Sequence, residues 1–317
     1  MPLSLRCPTL SLLLVLGLPL PALDQQTSDP AFSTKVAHPM FVTRHPRILV
    51  DEGHHNTHTT RSRYDAITHM AISDGFTAQT DIELFSAADL KDADILLIAN
   101  AMGADDMRTA RAANPAFTPA ECNEVHEWVE GGGSLLLIAE HAPMGVAARP
   151  MAERFGVDFS TGYLVDPALA DTAFGASTLV FSDATGTLGD HPILYGRGPA
   201  EAVKRVRTYT GQSLAGPPGS VALLKTTPRA QDFMLGSAGV RGPVPDSLKR
   251  SAAGRAQAIA FTVGKGRVVV VGETTVFAAQ LVPGPGGVMR KLGMNSPGFD
   301  NRQFALNVLR WLAKGLN

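Results

Sequence analysis

The stretch Gly131-Gly-Gly-Ser134-Leu-Leu-Leu-Ile-Ala139-Glu140-His141-Ala-Pro143 decides the fold. Ser134 to Ala139 carries no alternation of polar and apolar residues. That pattern fits a strand buried on both faces, as in a parallel sheet covered by helices. Three glycines precede the run and a Glu-His pair ends it. A strand-to-helix turn is expected there, with a helix over roughly 145–155.

Upstream, Thr118-Pro119-Ala120-Glu121 sets a capping Thr, a first-turn Pro and a Glu at the third helical position. Cys122, Val125 and Val129 share one face of the helix it opens, joined by Trp128, and Gly131 ends it. Asp94 to Ala99 and Arg47 to Asp51 read as two more buried strands. Between them, Tyr64, Ile67 and Met70 recur at helical spacing over 61–73, and Phe76 to Leu84 is extended.

Downstream, residues 157–250 are rich in Gly and Pro and hold only short apolar runs. The segment Ala215 to Ser220 is turn chemistry throughout. Regular patterning returns with Ala256 to Val263, the turn Gly264-Lys265-Gly266, and Arg267 to Val271, a hairpin. A last helix is expected from Asp300 as cap with Gln303 at the third position. Phe304, Val308, Trp311 and Leu312 form its core face. The expected fold is α/β: a flavodoxin-like, doubly wound, mainly parallel sheet with an antiparallel hairpin edge and an irregular insertion over 157–250.

The chain has 317 residues, 28 Lys plus Arg and 29 Asp plus Glu. A net charge of −1 gives it no electrostatic reason to bind nucleic acid or an anionic membrane. Aromatic residues do not interleave with basic ones. Arg6 precedes an apolar run from Leu10 to Leu20, with Ala22 as a small residue for cleavage. A helix over that run rises only ~16 Å, against a hydrocarbon core of ~30 Å. Residues 1–22 therefore read as a signal peptide, with a retained anchor as the alternative. The expectation is an exported protein, periplasmic or extracellular, with no membrane span in the mature chain. Residues 23–45 form an N-terminal arm and 46–317 the α/β domain. Cleavage removes Cys7 and leaves Cys122 alone, so no intramolecular disulfide can form.

Ligands of open α/β sheets sit beyond the carboxyl ends of the strands. Those tips carry Asp51-Glu52-Gly53-His54-His55-Asn56-Thr57-His58, then Asn100, then Glu140-His141, then Gly272-Glu273-Thr274. Imidazole, carboxylate and amide groups from distant segments are expected to converge on one rim and take a small polar ligand. Glu140, His141 and Glu273 are the candidate catalytic residues, with Glu as base and His as acid. Glu52, His55, Asn56 and Asn100 are candidates for ligand binding. His54 and His58, four apart, would share a face if helical and hold a divalent metal, with carboxylates completing the set. The plainer alternatives are that these His residues bond to loop backbone and that Glu140 caps the following helix. Asp190-His191-Pro192 reads as a turn and Cys122 as core packing. No glycine-rich phosphate loop follows a strand.

Four segments carry a resemblance: Ile48 to Glu52 with its His/Asn run, Gly132 to Pro143, Gly266 to Glu273, and Asp300 to Leu312. Together they resemble an uncharacterised, often exported family of the class I glutamine amidotransferase-like superfamily. Its relatives include trehalose-utilisation-type and gliding/ABC-transport-associated domains. The resemblance covers about residues 45–315 and implies a flavodoxin-like sheet. Members with amidotransferase activity place a nucleophilic Cys after the strand that here ends at Ala139, where this chain has Glu140 and His141. The resemblance thus implies the place of a site without thiol-dependent glutamine hydrolysis. A Cys-independent hydrolase acting on a small polar or carbohydrate ligand is one expectation. A non-catalytic ligand- or partner-binding module of the cell envelope is the other.

Overall fold

A computed structural model describes residues 26–236 and 243–317. The expected signal peptide, 1–22, lies outside the described residues. The central sheet contains β1 (Arg47–Asp51), β2 (Thr77–Asp81), β3 (Ile95–Ala99), β4 (Ser134–Ile138), β5 (Asp158–Phe159), β6 (Leu214–Ala215), β7 (Val221–Lys225), β8 (Ala256–Val263) and β9 (Gly266–Val271). The helices that concern the site are α1 (Asp65–Ser73), α2 (Pro119–Gly131), α3 (Arg149–Arg154) and α4 (Asn301–Leu312).

Five strands run parallel in the order β2-β1-β3-β4-β9. This is the doubly wound order, with its switch point between β1 and β3. The hairpin partner β8 then pairs antiparallel with β9. The antiparallel side continues past that hairpin, because β6 and β7 both pair with β8, and β5 pairs with β6. Part of the 157–250 segment is therefore built into the main sheet. The rest forms a three-stranded sheet (Tyr163–Val165, Gln231–Phe233, Lys249–Ser251) and a pair (Leu179–Ser182, Arg205–Thr208).

The inner strands are apolar throughout because each face meets a separate core. Ile48, Val50, Leu97, Leu136, Ile138 and Val269 point toward α1 and α4. Leu49, Leu96, Ile98, Leu135, Leu137 and Val268 point toward α2 and α3. Successive side chains alternate between these cores, as the strand repeat requires. Thr118 and Glu121 form the expected capping box on α2. The region expected as one helix over 145–155 is two short ones, Met144–Ala147 and Arg149–Arg154.

Asp300 does not cap α4 with its side chain. Its carboxylate instead accepts from the backbone N–H groups of Lys204 and Arg205, tying the helix start to a neighbouring strand. The described part of the arm packs onto the domain. Phe41 lies against Phe76 at 4.7 Å, and Gly75, at φ +97°, leaves room for the Phe41 carbonyl where a Cβ would sit 1.8 Å away. Among the described residues, no helix is long and apolar enough to cross a membrane.

Candidate functional site

The rim is assembled at the carboxyl ends of β1, β3, β4 and β9. Residues 52–60 after β1 are irregular, so the four-residue spacing of His54 and His58 puts them on no common helical face.

His54 is buried. Its Nδ1 lies 2.7 Å from Asp51 and its Nε2 2.8 Å from Glu121. Carboxylate oxygens accept, so both ring nitrogens act as donors. Burial opposes charging His54, but the two carboxylates outweigh it and raise its pKa above 6.5. A doubly protonated imidazole has no lone pair for a metal. Among the described residues, no group of three or more His, Cys, Asp and Glu is placed to hold one. With both ring nitrogens so engaged, His54 offers no lone pair for the metal role expected of it. His54 instead joins β1 to the first turn of α2, between the rings of Phe85 and Phe117, each 4.7 Å away.

Asn56 is also occupied locally. Its amide donates to Asp51 and to the Ala99 carbonyl, and its oxygen accepts from the His54 N–H. Glu52 accepts from the N–H and hydroxyl of Thr60. His55 is exposed, at φ +52°, with Nδ1 2.6 Å from Asp105. These three expected ligand-binding residues are thus engaged in shaping the β1 loop.

A tighter group forms around Glu140. Asn100, at φ +47°, donates from its amide to Glu140 Oε2 at 2.9 Å and accepts the Glu140 N–H at 3.0 Å. Asn tolerates this left-handed conformation better than most residues. The Thr274 N–H lies 3.5 Å from Glu140 Oε1. Glu140 caps no helix. Burial pushes its pKa upward, but His141, His58 and these donors more than offset that and hold it below 4.5. Glu140 is therefore ionised near neutral pH.

His58 is buried, with Nδ1 2.9 Å from the Thr57 hydroxyl. Its Nε2 has no partner among the described residues, and neither has the Thr274 hydroxyl. Burial drives the His58 pKa down to about 4, with Glu140 opposing and Arg63 assisting. A depressed His pKa gives stability that is present above pH 6.5 and lost as pH falls toward 4. The wild type should therefore lose on the order of 3 kcal/mol relative to His58→Gln across that interval. Urea unfolding of both proteins at a series of pH values measures this, and parallel profiles would refute it.

His141 stacks on Tyr163 with ring centroids 3.8 Å apart. Its Nδ1 donates to the Ala142 carbonyl at 2.8 Å, and burial lowers its pKa despite Glu140. Glu273 is fully buried, and its two oxygens accept from the N–H groups of Thr275 and Val276. Burial, then the Glu140 charge, raises its pKa to about 8. Glu273, expected as catalytic, fixes with these two bonds the turn that carries Thr274.

Sequence reasoning missed Tyr64 and Tyr163 as neighbours of this group, and placed Thr274 on the rim without giving it a role. The Tyr64 hydroxyl donates to the Thr274 carbonyl at 3.1 Å, and its ring lies 5.0 Å from His58. Its apolar spacing marked it only as helix core. His191 accepts the Ile193 N–H at the start of a short helix and packs on Trp311, away from any such chemistry. Cys122 is buried, and burial followed by Glu121 pushes its thiol up to about 11.

No family model matches the sequence, and no curated protein matches it. The fold is similar to that of the mmIFT52 N-terminal domain, with a TM-score of 0.56 at 16% identity over 85% of this chain and 98% of that one. A protein described as ThuA-like from Bacteroides uniformis gives a TM-score of 0.42 at 13% identity, covering 90% of this chain and 95% of its own. Cytoplasmic protein STM1381 from Salmonella typhimurium gives 0.45 at 13%, covering 84% and 99%. At these identities the likeness concerns the fold alone, a large α/β sheet with a parallel half and an antiparallel half.

Proposed function

We propose that the chain binds a small hydroxyl- or amino-bearing molecule at the rim formed by His58, Asn100, Glu140 and Thr274. The observation that carries this reading is an ionised, half-buried Glu140 within electrostatic range of His58, whose buried Nε2 has no partner among the described residues. Leaving such an atom unsatisfied costs about 1–3 kcal/mol, and few native buried polar atoms are left so. A ligand hydroxyl bonded to both groups would remove that penalty. The unpaired Thr274 hydroxyl offers a further contact. The stacked His141–Tyr163 pair would supply a flat wall.

Hydrolysis is the second reading, favoured by the same juxtaposition. Glu140 would take a proton from the attacking water and pass it to the leaving oxygen, with the neutral His58 imidazole orienting the reactants. The lowered pKa of Glu140 weakens it as a base, which places binding first. A thiolate route has no support, since Cys122 is buried in the core on α2. We also propose export, with cleavage near Ala22, from the leader pattern of Arg6 and Leu10–Leu20.

The test is saturation-transfer NMR of the chain with neutral mono- and disaccharides and amino sugars, followed by titration of whichever binds. Glu140→Gln should weaken that binding by about tenfold to a hundredfold, the size of a lost charge-assisted hydrogen bond. Binding unaltered in both Glu140→Gln and His58→Ala, or no binding across the series, would overturn the reading. Release of product from a bound glycoside by the wild type and not by His58→Ala would favour hydrolysis.

A further inference from the structure

A cleft of about 400 Å³ opens where the first turn of α3, the end of β5 and the small three-stranded sheet meet. Its volume falls in the range of sites for small organic ligands. Three guanidinium groups line it, from Arg149, Arg250 and Arg255. Arg255 is committed within the fold: it donates to Asp158 twice, through side chain and carbonyl, and to the Ser213 hydroxyl. Arg149 and Arg250 have no ion pair or side-chain hydrogen bond among the described residues.

The acids of the cleft do not neutralise them. Asp158 is paired to Arg255. Asp232 is buried and accepts from the Ser213 hydroxyl at 2.5 Å and from its N–H at 3.3 Å. Burial raises the Asp232 pKa, against the pull of its hydrogen bonds. Two unpaired cations on separate elements repel each other across a shared space unless an anion lies between them. Hydroxyl groups of Ser160 and Ser251 and the apolar side chains of Phe159 and Met234 complete the lining. Thr161, also in the wall, is held at φ +62°, which is costly for a β-branched residue. The Gln212 side chain and the Ala142 N–H fix it there.

We infer that this cleft is a second binding site, for an organic phosphate monoester of about monosaccharide size, with Arg149 and Arg250 on the phosphate. A phosphate dianion offers three terminal oxygens, enough for forked bonds from two guanidiniums, whereas a single carboxylate offers two. The hydroxyls and the apolar patch suit the polar and apolar faces of the attached body. The cleft shares no lining residue with the Glu140 rim.

The experiment is isothermal titration of the full chain with glucose 6-phosphate, inorganic phosphate and succinate at low ionic strength. Glucose 6-phosphate should bind, more tightly than inorganic phosphate, and weaken as salt is added. Arg149→Ala and Arg250→Gln should each lower the affinity about tenfold, the scale of a lost charge-assisted contact. Glu140→Gln should leave it unchanged, which separates this site from the rim. Arg250 is exposed, so Arg250→Gln keeps the test available if Arg149→Ala fails to fold. No binding of either phosphate, equal affinity in the folded Arg variants, or a loss in Glu140→Gln would each overturn the proposal. Succinate binding as tightly as glucose 6-phosphate would overturn the phosphate assignment.

Discussion

Arg310→Met should lower the stability of the chain by about 3–5 kcal/mol, because it strands two acids around a buried position. Arg310 on α4 is 1% exposed and Asp74, just after α1, is fully buried. Their contact is forked, with Nε and Nη2 each 2.7 Å from an Asp74 oxygen. Nη1 also lies 2.8 Å from Glu201. Burial alone would raise the Glu201 pKa, but Arg197 and Arg310 together hold it down at about 2. The methionine variant fills similar volume, so the expected loss comes from the uncompensated carboxylates rather than from a cavity. Adding Asp74→Leu should recover part of the stability, since an apolar pair can replace a buried ion pair at little cost. Urea unfolding of wild type, single and double variants measures this. A loss below about 1 kcal/mol in Arg310→Met would show that water reaches the pair and screens it.

His54→Leu should be similarly severe, about 3–5 kcal/mol near neutral pH, because Asp51 and Glu121 would then face one another without the cation between them. The effect should also have a definite pH dependence. The folded pKa of His54 lies above 6.5, so its contribution is fully present below pH 6.5 and is lost as pH rises through the folded value. The gap between wild type and His54→Leu should therefore be widest in mild acid and narrow toward alkaline pH. His58 acts in the opposite sense, so only the difference between paired proteins isolates either residue. A gap that widened toward alkaline pH would mean that His54 is neutral in the fold.

The parallel half of the sheet was legible because its signals are local. Ile48 to Val50, Ile95 to Ala99 and Leu135 to Ile138 are apolar without alternation, and only a strand covered on both faces suits that. The capping box of Thr118 and Glu121 and the hairpin at Gly264-Lys265 were equally local. The additional sheet strands β5 and β6 were not legible, since a two-residue strand has no period to read. The rim was partly legible. Strand ends are where α/β sheets hold ligands, and Asn100 and Glu140 do meet there, with His58 in electrostatic range of Glu140. Which polar tips would be used up by the fold was not legible. Glu121 reaches His54 from 67 positions away, and Glu273 turns inward to two backbone N–H groups. Both depend on tertiary geometry that residue type and spacing do not encode.

Among the described residues, the outer strand β2, Thr77-Ala-Gln-Thr-Asp81, pairs on one side only. Its other side leaves backbone donors and acceptors open to any extended peptide that drifts past. Yet its side chains are polar and mostly bathed in water, so a second copy docking there would bury little oily surface and gain little from the encounter. The composition of this short segment thus acts as a guard against sheets of neighbouring molecules fusing into fibres.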